Sequence, residues 1–172
     1  RLNWKKGFDT LIPAFVEVAK QEPRAILMIV GEDDGYEGEI KKMVARYKLK
    51  NKVRLTGDLR GEGKSAAYEY ANVFAMPSYS ESFGIGAVEA MASSCPVVVT
   101  KSVGIAPEIK HAYAGIVIDK DIDQLTKAIL GILHDRELAQ ILGGHGQELV
   151  EREFFWPNVA KRWVEEYQRL LK

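Results

Sequence analysis

Two glutamates, Glu81 and Glu89, stand with seven residues between them where a polar loop gives way to a helix-forming stretch. Glu89 is flanked by small apolar residues, and an ionised carboxylate in such surroundings is costly unless another group pairs with it. Carboxylates accept hydrogen bonds from sugar hydroxyls, while the N–H groups of a helix N-terminus favour an anion by about 0.3–1 kcal/mol. The pair therefore suits a ligand with both hydroxyl groups and phosphate. The same pattern also allows Glu81 to cap the helix and Glu89 to pair with a buried basic residue.

The residues around this pair predict a strand, a loop and a helix in that order. Residues 73–76 form a short apolar run of strand type, and Pro77 ends it because proline has no backbone N–H for a neighbouring strand. Residues 78–82 are polar and turn-forming, whereas the chain from Gly84 onward is rich in alanine and favours a helix. Glu81 therefore follows the carboxyl end of a strand directly.

Apolar runs alternate with helical patterns along the whole chain, which predicts an α/β fold with a doubly wound, Rossmann-like parallel sheet. The predicted strands span residues 25–30, 53–56, 73–76, 96–100 and 115–118. Besides the helix that starts at residue 84, the predicted helices span residues 8–20, 38–48, 64–71, 137–151 and 157–171, with one more after an N-cap at Asp121. Ligands of such sheets bind at the carboxyl ends of strands, where the candidate residues lie.

Length and composition limit the classes of function. With 172 residues the chain is long enough for one domain, residues 1–172. Lys plus Arg and Asp plus Glu number 24 each, so no charge excess favours nucleic acid or an anionic membrane. Cys95 is the single cysteine, which suits a reducing cytosol and a small core residue. No apolar run reaches 18 residues, so no membrane span is predicted. The start at Arg1 leads us to expect part of a longer protein.

Cations and a glycine open the chain, in the segment 1–7 that leads into the first predicted helix. Such a segment suits a diphosphate, although a solvated basic start is the alternative. Gly31 follows the strand at 25–30. The acids after it, Glu32 to Asp34, fit a tight polar turn.

Four other sequence patterns resemble known ligand-binding motifs, but none of them predicts such a site in this chain. Residues 57–65 nearly spell a phosphate-binding P-loop but have the wrong spacing, and residues 84–89 resemble a dinucleotide fingerprint except that Glu89 stands where a small residue is needed. The D-x-D spacing around Asp121 is better explained by helix capping. The three histidines are scattered and suggest no zinc site.

The order of residues around the two glutamates resembles the retaining nucleotide-sugar glycosyltransferases of GT-B fold. This is the glycosyl transferases group 1 family, which holds sucrose synthases and many mannosyl- and glucosyltransferases. The residues that carry the resemblance are Pro77-Ser78, Glu81-Ser82-Phe83-Gly84, Glu89-Ala90-Met91-Ala92 and Pro96-Val97-Val98. The resemblance covers all 172 residues and implies the C-terminal, donor-binding half of a GT-B hexosyltransferase. Such an enzyme moves a hexose from a UDP- or GDP-linked sugar to a sugar, lipid or other hydroxyl acceptor, with no metal or other cofactor.

The resemblance also assigns roles to residues of this chain. It implies that Arg1 and Lys6 hold the donor diphosphate and act in catalysis together with Glu81, which would position the transferred sugar. Glu89 would accept the ribose hydroxyls. The nucleotide-sugar-binding residues that it implies are Arg1, Lys6, Gly31, Leu59, Lys64, Glu81, Ser82, Phe83, Gly84, Ile85 and Glu89. Within this set Leu59 would form a wall beside the base, and Lys64 is either a base contact or a surface lysine at a helix start.

Three positions depart from the family pattern: Asp33 and Ile105 each replace a second glycine, and Ser94 stands where a glycine is common. They leave the donor sugar open. Two alternative functions also stay open: a nucleotide-sugar 2-epimerase of the same fold, and a non-catalytic nucleotide-binding or interaction module.

The resemblance places the acceptor site in an N-terminal domain that precedes Arg1. We therefore expect the isolated chain to bind donor without turnover, and its partners to be the nucleotide sugar, its own N-terminal domain and the acceptor, with no nucleic acid. Peripheral membrane association would involve only the preceding domain. The expected location is the cytoplasm, including the inner face of the membrane.

Overall fold

The protein, described here over residues 1–171 of a computed structural model, consists of parallel strands that alternate with helices. The strands are β1 (Leu27–Val30), β2 (Val53–Gly57), β3 (Phe74–Met76), β4 (Val97–Thr100) and β5 (Gly115–Ile118). The helices are α1 (Phe8–Gln21), α2 (Glu37–Arg46), α3 (Gly61–Glu69), α4 (Ile85–Ala92), α5 (Ala106–His111), α6 (Ile122–His134), α7 (Arg136–Glu153) and α8 (Trp156–Leu170). The predicted α/β fold with parallel strands is confirmed.

The strands form two hydrogen-bonded groups rather than one continuous sheet. β1 pairs with β2 (Leu27 opposite Val53), while β4 lies between β3 and β5. Within residues 1–171, β1 and β3 do not pair with each other. The start of the chain links the two groups at their carboxyl ends, because Leu2 bridges to Asp33 beyond β1 and the carbonyl of Lys5 accepts a hydrogen bond from the N–H of Tyr79 beyond β3.

Alternate residues of the central strand β4 pack into two different hydrophobic clusters, as side chains on opposite faces of a strand must. Val98 joins the larger cluster with α1 and α6, whereas Val97 and Val99 join the smaller one with α4 and α5. The larger cluster also contains Ile29 and Val53 of the other strand group. Helices therefore cover both faces of β4, and the larger cluster unites the two strand groups.

Sequence analysis did not predict two short elements, which are a 3₁₀ turn at Trp4–Lys6 and helix α5. α5 has six residues, too few to show a helical period, and Pro107 lies in its first turn. The predicted elements are present, with ends shifted by a few residues. For example, the strand predicted at 25–30 corresponds to β1 (Leu27–Val30), and the helix predicted at 64–71 corresponds to α3 (Gly61–Glu69).

Helix α8 carries the aromatic residues of the C-terminal tail, and none of its residues is buried. Exposed apolar side chains include Trp156, Trp163, Tyr167 and Leu170. Among residues 1–171, no helix combines the length and the apolarity that a bilayer crossing requires.

Candidate functional site

An ion pair joins the two loops that sequence analysis selected. The ammonium of Lys6 donates to Oε2 of Glu81 at 2.5 Å, with 30% and 21% of the two side chains exposed. Lys6 ends the 3₁₀ turn before α1, and Glu81 follows β3. Glu81 does not cap the next helix, because the N-cap of α4 is Gly84 and no side chain bonds there. The capping alternative is therefore wrong for Glu81.

Backbone contacts fix these two loops against each other. Gly7 lies between Lys6 and α1 with φ 75°, and a Cβ atom at this position would overlap the carbonyl oxygen of Pro77. Next to it, the N–H of Tyr79 donates to the carbonyl of Lys5 at 2.8 Å. Only glycine allows so close an approach with a left-handed backbone. The Lys6–Glu81 pair is thus held by the main chain on both sides.

Unpaired backbone donors stand at the start of α4. The loop before it is anchored from Glu81 N–H to the carbonyl of Ser102, and from Gly104 and Ile105 N–H to the carbonyls of Glu81 and Phe83. Across residues 1–171, five consecutive N–H groups at the end of this loop and the start of α4, those of residues 82–86, find no acceptor. Such N–H groups at a helix N-terminus can bind an anion or a hydroxyl oxygen.

Glu89, one turn into α4, receives two donors from α3. Lys64 donates to its Oε1 at 2.5 Å, and the hydroxyl of Tyr68 donates to its Oε2 at 3.1 Å. The basic partner that sequence analysis allowed for Glu89 exists, but Lys64 is 40% exposed rather than buried.

Tyr68 is the site residue that sequence reasoning missed. Its spacing of four residues from Lys64 puts both side chains on one face of α3, which is the signal that could have found it. Burial, together with the charge of Glu89, raises the pKa of Tyr68 well above its ordinary value. The hydroxyl therefore keeps its proton and remains a donor to Glu89.

Three other candidates, Arg1, Gly31 and Leu59, lie in separate loops. The guanidinium of Arg1, 73% exposed on its side chain, lies 3.8 Å from the carboxylate of Asp34. Gly31 has φ 145° and donates its N–H to Gly57, and Leu59 is half-buried in the loop before α3. No hydrogen bond or ion pair within residues 1–171 links these three to Glu81 or Glu89.

Two apolar candidates line the loop. Phe83 packs edge-on against Phe154 of the α7 C-terminus, with ring centroids 5.5 Å apart. Ile85, the first residue of α4, is mostly exposed. Both are accessible beside the unpaired N–H groups.

Two of the three departures from the family pattern have structural explanations. Ile105 has an ordinary φ of −83° and is fully buried beneath Gly84, so this position needs no glycine. Ser94 has φ 55°, which explains why a glycine suits its place, and its hydroxyl bonds to Gln147 at 2.8 Å. Gly104 is retained where a Cβ atom would overlap the carbonyl oxygen of Ser82.

The acids of the D-x-D pattern serve structural roles. Asp121 accepts a hydrogen bond from the N–H of Gln124 at 2.8 Å, which confirms it as the N-cap of α6. A hydrogen bond from Lys101 holds the pKa of Asp119 below its usual value. In the described part of the chain, residues 1–171, no three His, Cys, Asp or Glu side chains are placed to hold a metal ion.

Comparison with solved structures places this arrangement among known folds. Sucrose-phosphate synthase from Thermosynechococcus elongatus matches 98% of this chain and 43% of its own, with a TM-score of 0.86 and 31% identity. The C-terminal domain of a glycosyl transferase group 1 family protein from Francisella tularensis matches 91% of this chain and 83% of its own, with a TM-score of 0.79 and 25% identity.

Comparison with curated protein sequences finds relatives of the same kind. The chain is 30% identical over 170 residues to the GDP-mannose-dependent alpha-(1-6)-phosphatidylinositol monomannoside mannosyltransferase of Mycobacterium tuberculosis, covering 94% of this chain and 44% of that protein. The chain thus spans less than half the length of the curated relatives it matches. The sequence model of the glycosyl transferases group 1 family matches residues 1–149. Because this match covers most of the chain, the protein belongs to the glycosyl transferases group 1 family, with the fold of a GT-B C-terminal domain.

Proposed function

We propose that this chain is the donor-binding domain of a retaining hexosyltransferase that uses a UDP- or GDP-linked sugar. The observation that carries the proposal is the Lys6–Glu81 ion pair beside five unpaired N–H groups at the start of α4. A cation and a row of amides suit a diphosphate, and a carboxylate between them suits sugar hydroxyls. The name of the mycobacterial relative, a GDP-mannose-dependent enzyme, supports a nucleotide-sugar donor.

Each charged residue has one role in this proposal. Lys6, with Arg1 from the exposed chain start, neutralises the diphosphate as negative charge builds up on the leaving nucleotide. Glu81 accepts hydroxyls of the transferred sugar and positions it, while Glu89 accepts the ribose hydroxyls. Glu81 is not a nucleophile, unlike the carboxylate of a retaining glycosidase. A trapped glycosyl–Glu81 adduct would contradict this role.

The proposal extends to the whole enzyme. The curated relatives are more than twice as long as this chain, and we assign the acceptor site, for a sugar, lipid or other hydroxyl, to a preceding domain. Lys6 and the amides supply positive charge, which supports transfer without a metal. The single cysteine is buried and unpaired, which supports a reducing cytoplasmic location, including the inner face of the membrane.

Calorimetric titration of the full-length protein with UDP, GDP and ADP tests donor binding. We expect one nucleotide to bind, and Lys6→Ala and Glu89→Gln each to weaken it by about 10- to 100-fold, since each removes a charge-assisted hydrogen bond. Lys20→Ala is the control, because Lys20 pairs with Glu17 on the surface of α1, away from the site. Binding that both site variants leave unchanged would contradict the site, and failure of all three nucleotides to bind would favour an interaction module instead.

A transfer assay tests the division of labour between domains. Residues 1–172 alone should show no turnover, whereas the full-length protein should form a product with the anomeric configuration of the donor. Transfer by residues 1–172 alone would contradict the assignment of the acceptor site. Release of a 2-epimerised sugar without any acceptor would instead support the epimerase alternative.

A further inference from the structure

Both carboxylate oxygens of Glu89 are held from the neighbouring helix α3. The ammonium of Lys64 donates a hydrogen bond to Oε1, and the hydroxyl of Tyr68 donates one to Oε2. The two donors differ in freedom, because Lys64 is a long, flexible side chain that is 40% exposed, whereas the ring of Tyr68 packs against Phe74. Tyr68 is therefore the fixed partner of the carboxylate, and Lys64 the adjustable one.

The ring of Tyr68 is itself immobilised by packing. It meets Phe74 of β3 edge-on, with centroids 5.7 Å apart. Gly86, in the first turn of α4, lies close to both rings: a Cβ atom there would lie a tight 3.3 Å from Cζ of Phe74 and in ordinary contact, at 3.6 Å, with the hydroxyl of Tyr68. The hydroxyl thus reaches Glu89 from a rigid position between β3 and α4.

We propose that Tyr68 is a positioning residue that orients Glu89 toward the ribose of the donor, so that discrimination between ribose and deoxyribose depends on Tyr68. This inference rests on the proposed function. A carboxylate offers about four lone-pair sites. Tyr68 and Lys64 occupy one on each oxygen, which leaves two sites for the 2′- and 3′-hydroxyls. A site built to bond a hydroxyl strongly rejects an analogue that lacks it.

The test compares a ribonucleotide with its analogue that lacks both hydroxyls. The calorimetric titration identifies which nucleoside diphosphate binds. Dissociation constants from the full-length protein are then measured for this ribonucleotide and for its 2′,3′-dideoxy form. Tyr68→Phe removes only the hydroxyl and keeps the ring against Phe74. We expect the ribonucleotide to bind about 10- to 100-fold more weakly to this variant, as for loss of one hydrogen bond to a charged group, and the dideoxy form to bind as it does to the wild type.

Two controls isolate the role of the hydroxyl. Tyr70→Phe changes a tyrosine that is 81% exposed at the end of the same helix and should change neither constant. In a Glu89→Gln background, Tyr68→Phe should cost less than in the wild type, because the charged acceptor is already gone. Equal costs in both backgrounds would overturn the inference.

Three other results would contradict the role of Tyr68. If Tyr68→Phe weakens both ligands equally, or weakens neither, then Tyr68 does not position Glu89 for ribose. If the wild type binds the ribonucleotide and the dideoxy form equally, the inference fails while donor binding stands. If the wild type binds no nucleoside diphosphate, the proposed function fails first and the inference fails with it.

Discussion

Gly7 lies where the loop that carries Lys6 meets the loop that carries Glu81. Its backbone is left-handed, and any side chain would meet the carbonyl oxygen of Pro77. Gly7→Ala should therefore lower the free energy of unfolding by at least about 2 kcal/mol, since a left-handed non-glycine residue alone costs about 1–2 kcal/mol. It should also weaken nucleotide binding, because Lys6 is the preceding residue. Urea unfolding and titration measure the two effects.

The matched control for Gly7 is Gly144, which lies inside α7 with ordinary backbone and where a Cβ atom would meet no atom within 4 Å beyond its own helix turn in residues 1–171. Gly144→Ala should stabilise the protein by about 0.5–1 kcal/mol. If both alanine variants behave alike, the close approach of Gly7 to Pro77 has no energetic role.

Cys95 is confirmed as a small core residue, 2% exposed and without a disulfide partner. Burial raises the pKa of its thiol from 9.0 to about 11. At pH 8 the reactive thiolate is therefore about 100-fold scarcer than in the unfolded chain. Alkylation should be at least that much slower in the native protein than in urea.

The pH dependence of this labelling has a definite sign. In urea the rate should level off above pH 9.0, whereas in the native protein it should still rise between pH 9.0 and about 11. Equal rates at pH 8 with and without urea would mean that Cys95 is accessible and its thiol pKa unshifted.

At the scale of elements, α6 depends on a side-chain cap. The carboxylate of Asp121 satisfies the N–H of Gln124, which has no partner within the helix. Asp121→Ala should destabilise the protein by about 0.5–2 kcal/mol, while Asp121→Asn, which keeps an oxygen acceptor, should cost much less. Thermal unfolding of the two variants checks this, and equal losses would show that the hydrogen bond to Gln124 is not what stabilises the helix.

The loop between β3 and α4 is also anchored away from Glu81. The hydroxyl of Tyr79 donates to Asp9 at 2.5 Å, and the ammonium of Lys120 lies 3.6 Å from the centroid of the Tyr79 ring. Lys120 also donates to Thr10 at 2.7 Å. Contacts from α1 and from the end of β5 therefore fix this loop, which keeps Glu81 in reach of Lys6.

At the scale of the molecule, α1 unites the two strand groups. Ile12 is fully buried in the cluster that contains residues of both groups. Ile12→Ala should cost about 2–5 kcal/mol, and Ile141→Ala, at a largely exposed position on α7, should cost far less. Circular dichroism during urea unfolding measures these losses.

A second measurement asks whether the domain unfolds as one unit. Cys95 belongs to the other cluster, so its labelling reports on a region that Ile12 does not touch. In a single cooperative unit, Ile12→Ala should speed Cys95 labelling in proportion to the loss seen by circular dichroism. Unchanged labelling would show that the two clusters open independently.

Sequence alone determined the alternation of strands and helices, the Asp121 cap and the two loops that carry Lys6 and Glu81. These features depend on local composition and hydrophobic period, which neighbouring residues in the chain express directly. Short elements without a full period, such as α5, were missed for the same reason. Ser94 was visible as a departure from the family pattern, but its left-handed backbone was not.

Only the tertiary structure decided which charges meet. Lys6 and Glu81 are 75 residues apart in sequence, Lys64 and Glu89 are 25 apart, and Tyr68 and Glu89 are 21 apart. No local pattern encodes such pairs, because the packing of separate helices and loops at the strand ends brings their atoms together. The same packing separated the strands into two groups and joined them through one core.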